Sequence, residues 1–454
     1  MTNAGAPARR ILIWAGLALA VNAVWWAPLL PVWARVVAIL AALAWYVWIH
    51  IAPRLVTDRT VPARLRHLVD GYELVLAATV VAALEVVAYL LAYLVRAVGG
   101  WLHAPGWVLA LVNAIVAVVL LGLVCLNGVL RLLAASLQTS RTRKILLLAL
   151  WWLPGVNLLL VRYVYRIAVK ESRTEAAKAA RDAARLPQQV CRTRYPLLLV
   201  HGIFFRDWPL VNYWGRIPAV LAANGATIHY GGQQSAVSVA AAGVELASTI
   251  ERIIQQTGCG KVNIIAHSKG GLDARWAISQ AGAAPYVASL TTISTPHRGC
   301  NMARVLLERI PGQATAKVAG AYEALFTKLG DISPDFLAGV TDLTDTECAR
   351  LNAAMPDAPG VAYYSAGSRM ASALASPFPL NLGYSIVYPL EGPNDGLVAT
   401  TSMPWGTWLG LVEPSGREGL SHGDMVDLLR RDIGDFDVCE FYVGLVSRLR
   451  EAGY

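Results

Sequence analysis

Ser268 is the residue whose surroundings point most plainly to chemistry. It lies in Lys261-Val-Asn-Ile-Ile-Ala-His-Ser-Lys-Gly-Gly271, which reads as a short apolar strand, a sharp turn carrying one serine, and the start of a helix. A turn this tight needs small residues two before and two after the serine, and here they are Ala266 and Gly270. Alanine is the mildest departure from the Gly-x-Ser-x-Gly pattern of a nucleophile elbow. Such an elbow lifts the hydroxyl to the C-terminal end of its strand. It also aims the first N–H groups of the following helix, and the positive end of its dipole, at the same place. The bland alternative is an ordinary serine between a strand and a helix, but the context on both sides favours the elbow.

A nucleophilic serine needs a general base, and the base needs an orienting carboxylate. On a strand–elbow–helix scaffold these follow in the order Ser, Asp or Glu, His. Of eight histidines, His297 and His422 follow Ser268. His297, in Thr295-Pro-His-Arg-Gly299, comes too early, directly after the next strand, so elimination leaves His422 as the base. Asp395, in Asn394-Asp-Gly-Leu-Val398, is the candidate acid because it follows a strand-like run, Tyr384 to Tyr388, and precedes His422 by a loop. Asp424 is close to His422 in sequence and stays open as an alternative partner. Pro196 to Val200 reads as a buried strand followed by His201-Gly-Ile-Phe-Phe205. In α/β-hydrolases that loop and the residue after the nucleophile each give one N–H to the oxyanion. This nominates the backbones of Ile203 and Lys269, with His201 orienting the loop.

The elements that must position these groups start near Tyr195. Short apolar strands at Pro196–Val200, Ala226–Tyr230, the elbow strand and Val287–Ser294 alternate with helices at Asn212–Ala223, Val237–Gln256 and after Ser268. That alternation predicts a mostly parallel α/β sheet. The first 192 residues differ in kind. They hold 20 Lys and Arg against 7 Asp and Glu, whereas the remainder holds 19 against 23. A mean hydropathy of +0.47 is high, and nearly all the long apolar runs fall before about residue 170. A basic, apolar half suggests anionic lipid head groups, and no nucleic-acid motif is present. Six widely spaced cysteines form no C-x-x-C or Cys/His cluster, so free structural thiols are expected.

Four runs, Ile11–Leu30, Val32–Ala52, Tyr72–Val98 and Trp107–Leu133, are near or above the roughly 20 residues a bilayer-crossing helix needs. Basic residues precede the first run (Arg9, Arg10), separate the second from the third (Arg54, Arg59, Arg64, Arg66) and follow the fourth (Arg131, Arg141, Arg143, Lys144). The loops around Pro28–Pro31 and Gly99–Gly106 carry almost none, although Arg35 and Arg96 stand at their edges. The positive-inside rule then puts the N-terminus and the end of the fourth crossing in the cytoplasm. Ile145–Val169, broken by Pro154-Gly155, reads as a re-entrant or interfacial segment, with a fifth crossing as the alternative. The expected division is a transmembrane helical domain over 1–169, a basic amphipathic linker over 170–194 and a hydrolase domain over 195–454. Glu85, in mid-span, is read as a bundle-facing glutamate hydrogen-bonded to a neighbour such as Asn113 or Asn127.

Four motifs in order, Leu199-Val-His-Gly202, the elbow, Thr291-Thr-Ile-Ser-Thr-Pro-His-Arg-Gly299 and Asn394-Asp-Gly-Leu-Val398, resemble the bacterial triacylglycerol lipases of the Pseudomonas/Burkholderia and staphylococcal types. The resemblance covers roughly Pro196 to the C-terminus. It implies an α/β-hydrolase fold, hydrolysis of carboxylic esters of acyl lipids, and Ser268, Asp395 and His422 as the triad, with no cofactor. It also implies a helical lid over roughly 301–343. Three departures qualify it. Those relatives lack a polytopic N-terminal domain, so localisation does not transfer. The positive-inside reading instead implies a multi-pass bacterial inner-membrane protein with its hydrolase domain on the cytoplasmic face. Lys269 stands where Gln or Met is usual; a cation at the site mouth would favour anionic substrates, and a solvated lysine would do nothing. Finally, the relatives hold a structural calcium near the catalytic histidine. Here Asp424 matches one ligand position, Leu428 stands at another and no upstream aspartate is evident, so no metal is expected. A phospholipase or acyltransferase using the same triad is the first rival function, and a non-catalytic membrane scaffold the second.

Overall fold

The computed structural model describes residues 6–53, 63–99, 107–136, 141–150, 156–203, 212–308, 319–324, 327, 334–414, 419–433 and 436–454. The chain divides into two compact units, Met1–Arg181 and Asp182–Tyr454.

The first unit is helical: α1 (Ala6–Val21), α2 (Ala23–Trp26), α3 (Val32–Ile51), α4 (Ala63–Gly99), α5 (Trp107–Ala135), α6 (Arg141–Leu150) and α7 (Val156–Arg185). Among the described residues, three helices are long and apolar enough to cross a membrane: α3, Ala63–Val95 of α4 and Val108–Ala135 of α5. The expected first crossing is not one straight helix. Ala8–Val21 and Ala23–Leu29 meet at 59°, and only if this bent pair counts as one span does the number reach four. The break falls at Asn22, whose side-chain amide donates to Ala18 O at 2.9 Å and competes with the helix's own ladder. The third crossing starts earlier than its apolar run, so Arg64 and Arg66 lie on α4 and not in a loop. Arg54, Arg59, most of the loop around Gly99–Gly106, and Pro154-Gly155 lie outside the described residues.

Leu17, Val21, Ile49, Leu74, Ala78, Val81, Leu121 and Val124 form the core of this unit, while Leu84, Leu90 and Val118 expose more than half of their surface. These helices are apolar on their outward faces as well as their inward ones, which is consistent with membrane spans. Gly71 and Gly128 let α4 and α5 approach closely, since a Cβ on Gly128 would stand 2.8 Å from Gly71 O. Glu85 does face the bundle, but its partner is Asn22, which donates to it at 2.5 Å. Asn113 lies on the far side of Asn22, at 3.1 Å. Asn127 instead pairs with His50 O, at 3.0 Å. Neither α6 nor α7 is long and apolar enough to cross. The expected linker from Lys170 begins inside α7, because the Ala-, Arg- and Lys-rich sequence after it continues the helix already running.

The second unit is an α/β-hydrolase fold. Its six strands are β1 (Leu197–Val200), β2 (Ile228–Tyr230), β3 (Val262–His267), β4 (Val287–Ile293), β5 (Ala362–Ser368) and β6 (Thr407–Val412), all parallel, in the order β2-β1-β3-β4-β5-β6. Alternation within the central strands splits their side chains between two cores. Leu197, Leu199, Ile265 and Ile293 pack on one face against α8 (Ile217–Ala223) and α15 (Val438–Glu451). Leu198, Val200, Ile264, Ala266 and Leu290 pack on the other against α9 (Val239–Thr257) and α10 (Gly270–Ser279). Ser238 caps α9 by accepting from Ala241 N, and Gly258 ends it at φ +66°.

Between β4 and β5 lie α11 (Asn301–Glu308), α12 (Phe336–Thr341) and α13 (Asp345–Ala354). This is the place of the expected lid, part of which lies outside the described residues. The strand-like run at Tyr384–Tyr388 is helical: it belongs to α14 (Leu380–Glu391). The buried positions there, Gly383 and Val387, are four apart, a helical spacing that a five-residue apolar window conceals.

Candidate active site

Ser268 adopts φ +57°, in the left-handed region, between the end of β3 and the start of α10. Three hydrogen bonds hold a non-glycine residue there. Its N–H donates to Ile293 O at 3.0 Å, and its carbonyl accepts from Gly271 N at 3.0 Å and Thr295 Oγ1 at 2.8 Å. Close approach explains the glycines. A Cβ on Gly270 would stand 2.4 Å from His201 O, and one on Gly202 would stand 2.8 Å from Ser268 Cβ and 3.3 Å from its Oγ. The His201–Ile203 loop therefore runs directly alongside the serine. Gly270→Ala is expected to cost about 1–3 kcal/mol by overpacking this junction, read as a lower urea midpoint. An unchanged midpoint would mean that the junction has slack.

Asp395 and His422 meet. His422 Nδ1 donates to Asp395 Oδ2 at 2.7 Å, and His422 N donates to Asp395 O at 2.8 Å. The other carboxylate oxygen, Oδ1, accepts from Leu397 N at 3.1 Å and Val398 N at 2.8 Å. Asp395 is fully buried, while Ser268 and His422 keep 8% and 6% of their surface. Asp424, the alternative partner, is otherwise engaged: its Oδ2 accepts from Ser421 N at 2.9 Å and Ser421 Oγ at 2.6 Å.

Two residues that sequence reasoning passed over join these parts. His267 Nε2 lies 3.1 Å from His422 O, and its ring stands 4.5 Å from that of His422. A carbonyl can only accept, so Nε2 carries the proton and Nδ1 accepts from Tyr213 Oη at 2.6 Å. Tyr213 Oη in turn accepts from Gly202 N at 3.2 Å. Burial holds the His267 imidazole well below its ordinary range, with His422 adding to the effect, so it stays neutral. One chain of hydrogen bonds thus links the His201–Ile203 loop, the elbow strand and the loop of His422. The clue in the sequence was His267 itself, next to the nucleophile; the position of Tyr213 carried none.

Lys269 is neither a cation at a site mouth nor a solvated lysine. Its side chain is fully buried, with Nζ 2.7 Å from Asp273 Oδ1 one helical turn on. Ile203 is also buried, and its carbonyl accepts from Tyr322 Oη. His201 orients its loop as expected: its Nε2 lies 3.1 Å from Gln233 O, and Gln233 Nε2 donates back to His201 O at 3.1 Å. His297 is a buried structural group, 3.0 Å from Thr292 Oγ1 and stacked on Trp405, with Arg275 3.5 Å from the same ring.

The acids near His422 do not suit a divalent cation. Asp424 is committed to Ser421. Asp427 and Asp432 are held by the Arg216 guanidinium, at 2.8 Å and 3.1 Å. Among the described residues no group of three or more His, Cys, Asp or Glu is placed to hold a metal.

No protein-family model matches the chain. It is 30% identical over 301 residues to a triacylglycerol lipase of Vibrio cholerae, an alignment covering 61% of this chain and 94% of that one. The chain belongs to the triacylglycerol lipase family. A triacylglycerol lipase of Pseudomonas fragi is 30% identical over 294 residues, covering 58% of this chain and 98% of the relative. A third, from Burkholderia plantarii, is 35% identical over 193 residues, 40% of this chain. Of that relative, and of a fourth from Pseudarthrobacter phenanthrenivorans, the lipase-family chain spans only about half the length, 53% and 55%. The resemblance in the four motifs is thus borne out at the level of the family. Among solved structures, the mature Bacillus licheniformis lipase BlEst2 aligns at 21% identity and a TM-score of 0.40, over 52% of this chain and 87% of that one.

Proposed function

We propose that the chain is a membrane-anchored serine hydrolase that cleaves carboxylic esters of acyl lipids through an acyl-enzyme. The observation that carries this reading is the 2.7 Å bond from His422 Nδ1 to the buried Asp395, on a histidine tied through His267 to the elbow of Ser268. The bond fixes the tautomer in which Nε2 is free to accept a proton. Ser268 Oγ attacks the acyl carbonyl carbon as its proton passes to His422. The carbonyl oxygen takes up the electron pair, and the N–H groups of Ile203 and Lys269 stabilise it. Collapse expels the alcohol, which receives the proton from His422. Water, deprotonated by the same imidazole, then releases the fatty acid and restores Ser268.

The lipid substrate is supported by relatives that are triacylglycerol lipases and by apolar helices in the same chain. Insertion in a bacterial inner membrane, with the hydrolase unit on the cytoplasmic side, rests on the distribution of basic residues. A preference for anionic phospholipids lost its support when Lys269 proved to be buried. Purified full-length protein in detergent is expected to release fatty acid from triacylglycerol faster than from phosphatidylglycerol, with no acyl transfer to added alcohol. Ser268→Ala is expected to lower the rate by at least about 10^4. A Ser268→Ala variant that keeps native turnover would sink the reading.

A further inference from the structure

The proposed reaction uses the backbone of Lys269 and gives its side chain no task, yet that side chain is the more costly part to build. The ammonium and its partner Asp273 are both withdrawn from water, at 0% and 3% side-chain exposure. Two further carboxylates, from other elements, face the pair. Asp342, at the end of α12, accepts from Val239 N at 2.6 Å, and Glu245, on α9, accepts from Gln234 N at 2.8 Å. Asp342 is in turn faced by Lys269, Arg350 and Glu347. A buried ion pair is a poor source of stability, because desolvation rivals the attraction, and apolar side chains of similar volume often serve as well or better.

Position explains the pair better than stability does. Lys269 is the residue before α10, at φ −51° and ψ −34°, and its N–H belongs to the peptide that leaves the left-handed Ser268. Its far end is fastened to Asp273, whose own N–H donates back to Lys269 O at 3.1 Å. The residue is therefore gripped at both ends by a single helical turn.

We propose that the buried Lys269–Asp273 pair is a positioning device for the reaction, holding the Lys269 N–H on the developing oxyanion, so that turnover requires the pair to be ionised. This rests on the serine-hydrolase reading above. Burial pushes the Asp273 carboxyl up to about 6, with Lys269 drawing it down and Asp342 and Glu245 raising it. As pH falls through about 6, Asp273 takes up a proton and the ionised pair is lost. Stability moves the other way. The folded state binds this proton more tightly than the unfolded chain does, so between about 6 and the ordinary aspartate range the proton uptake adds stability. Activity and stability should therefore part company on the acid side.

The test compares native full-length protein with Lys269→Met, Asp273→Leu and the double variant, using a p-nitrophenyl acyl ester. The double variant leaves neither member of the pair buried alone, so it carries the result if the single variants fold poorly. It is expected to melt at or above the native temperature while kcat falls at least tenfold and KM stays within twofold. The acid limb of log(kcat/KM) against pH is expected to be steeper by about one in the native protein than in the double variant, because Asp273 takes up a proton there. A double variant with native kcat and native slope, or one whose kcat falls only in proportion to its folded fraction, overturns the proposal. A native protein without ester hydrolysis is a different outcome, and it would overturn the hydrolase reading instead.

Discussion

Asparagine at position 395 is expected to lower kcat by about 10^4 and leave the melting temperature within a few degrees of native. The argument lies in how Asp395 is held. Its Oδ1 accepts two backbone N–H groups, from Leu397 and Val398, and its Oδ2 faces His422 Nδ1. An asparagine must keep its oxygen on the two N–H groups, since its amide nitrogen cannot accept from them. The NH2 group is thereby forced toward His422. The imidazole must accept at Nδ1 and carry its proton on Nε2, the atom that should take the proton of Ser268. Steady-state kinetics at constant pH, with circular dichroism to confirm folding, measures this. A loss of less than about tenfold would mean that Asp395 does not set the tautomer, and would return Asp424 to consideration.

The second large effect is structural. Arg216→Ala is expected to destabilise the hydrolase unit by about 3–5 kcal/mol. The guanidinium is bidentate on Asp427, at 2.8 Å to each oxygen, and reaches Asp432 at 3.1 Å. Asp427 has no side-chain exposure, so removing the arginine takes the opposite charge away from a buried carboxylate. The backbone N–H of Arg216 still donates to Asp427, at 2.8 Å, which limits the loss. Asp427 stands five residues after His422, so the same clamp braces the loop of the candidate base. Arg216→Lys should recover only part of the loss, because an ammonium cannot reproduce the fork. Urea unfolding decides the matter, and an Arg216→Ala midpoint equal to native would show that the clamp is idle.

The parts of the molecule that sequence reasoning reached best are those where short-range chemistry dictates structure. Small residues flanking Ser268 could be read as an elbow because only a tight turn needs them. His422 follows from chain order and a short list of histidines, whereas the nomination of Asp395 rests on a strand-like run that is helical, with Asp424 open beside it. The outer strands β5 and β6 went unread, and the cause is physical. Strand β5 runs Ala-Tyr-Tyr-Ser-Ala-Gly-Ser and is only partly buried in its first three residues, so it lacks the apolar run that marked β1 and β3. Strand β6 lies at the sheet edge, with no fully buried residue. The helix before Asp395 was mistaken for a strand because its apolar window was too short to separate a period of 3.6 from one of 2.

Lys269 shows what a linear sequence hides. A lysine beside a nucleophile suggests a surface charge. Burial becomes legible only when Asp273 is seen one turn later on the same helix and Asp342 and Glu245 arrive from elsewhere. The same holds for Tyr213, which lies 54 residues from the histidine it meets.

The central claim is that Ser268 is a nucleophile activated by His422 and Asp395, and fluorophosphonate labelling of the full-length protein in detergent tests it most directly. Digestion and mass spectrometry should place a single adduct on the peptide containing Ser268. Labelling should be abolished in Ser268→Ala and slowed by orders of magnitude in His422→Ala. A native protein that stays unlabelled, or a Ser268→Ala variant that labels at the native rate, would contradict the account.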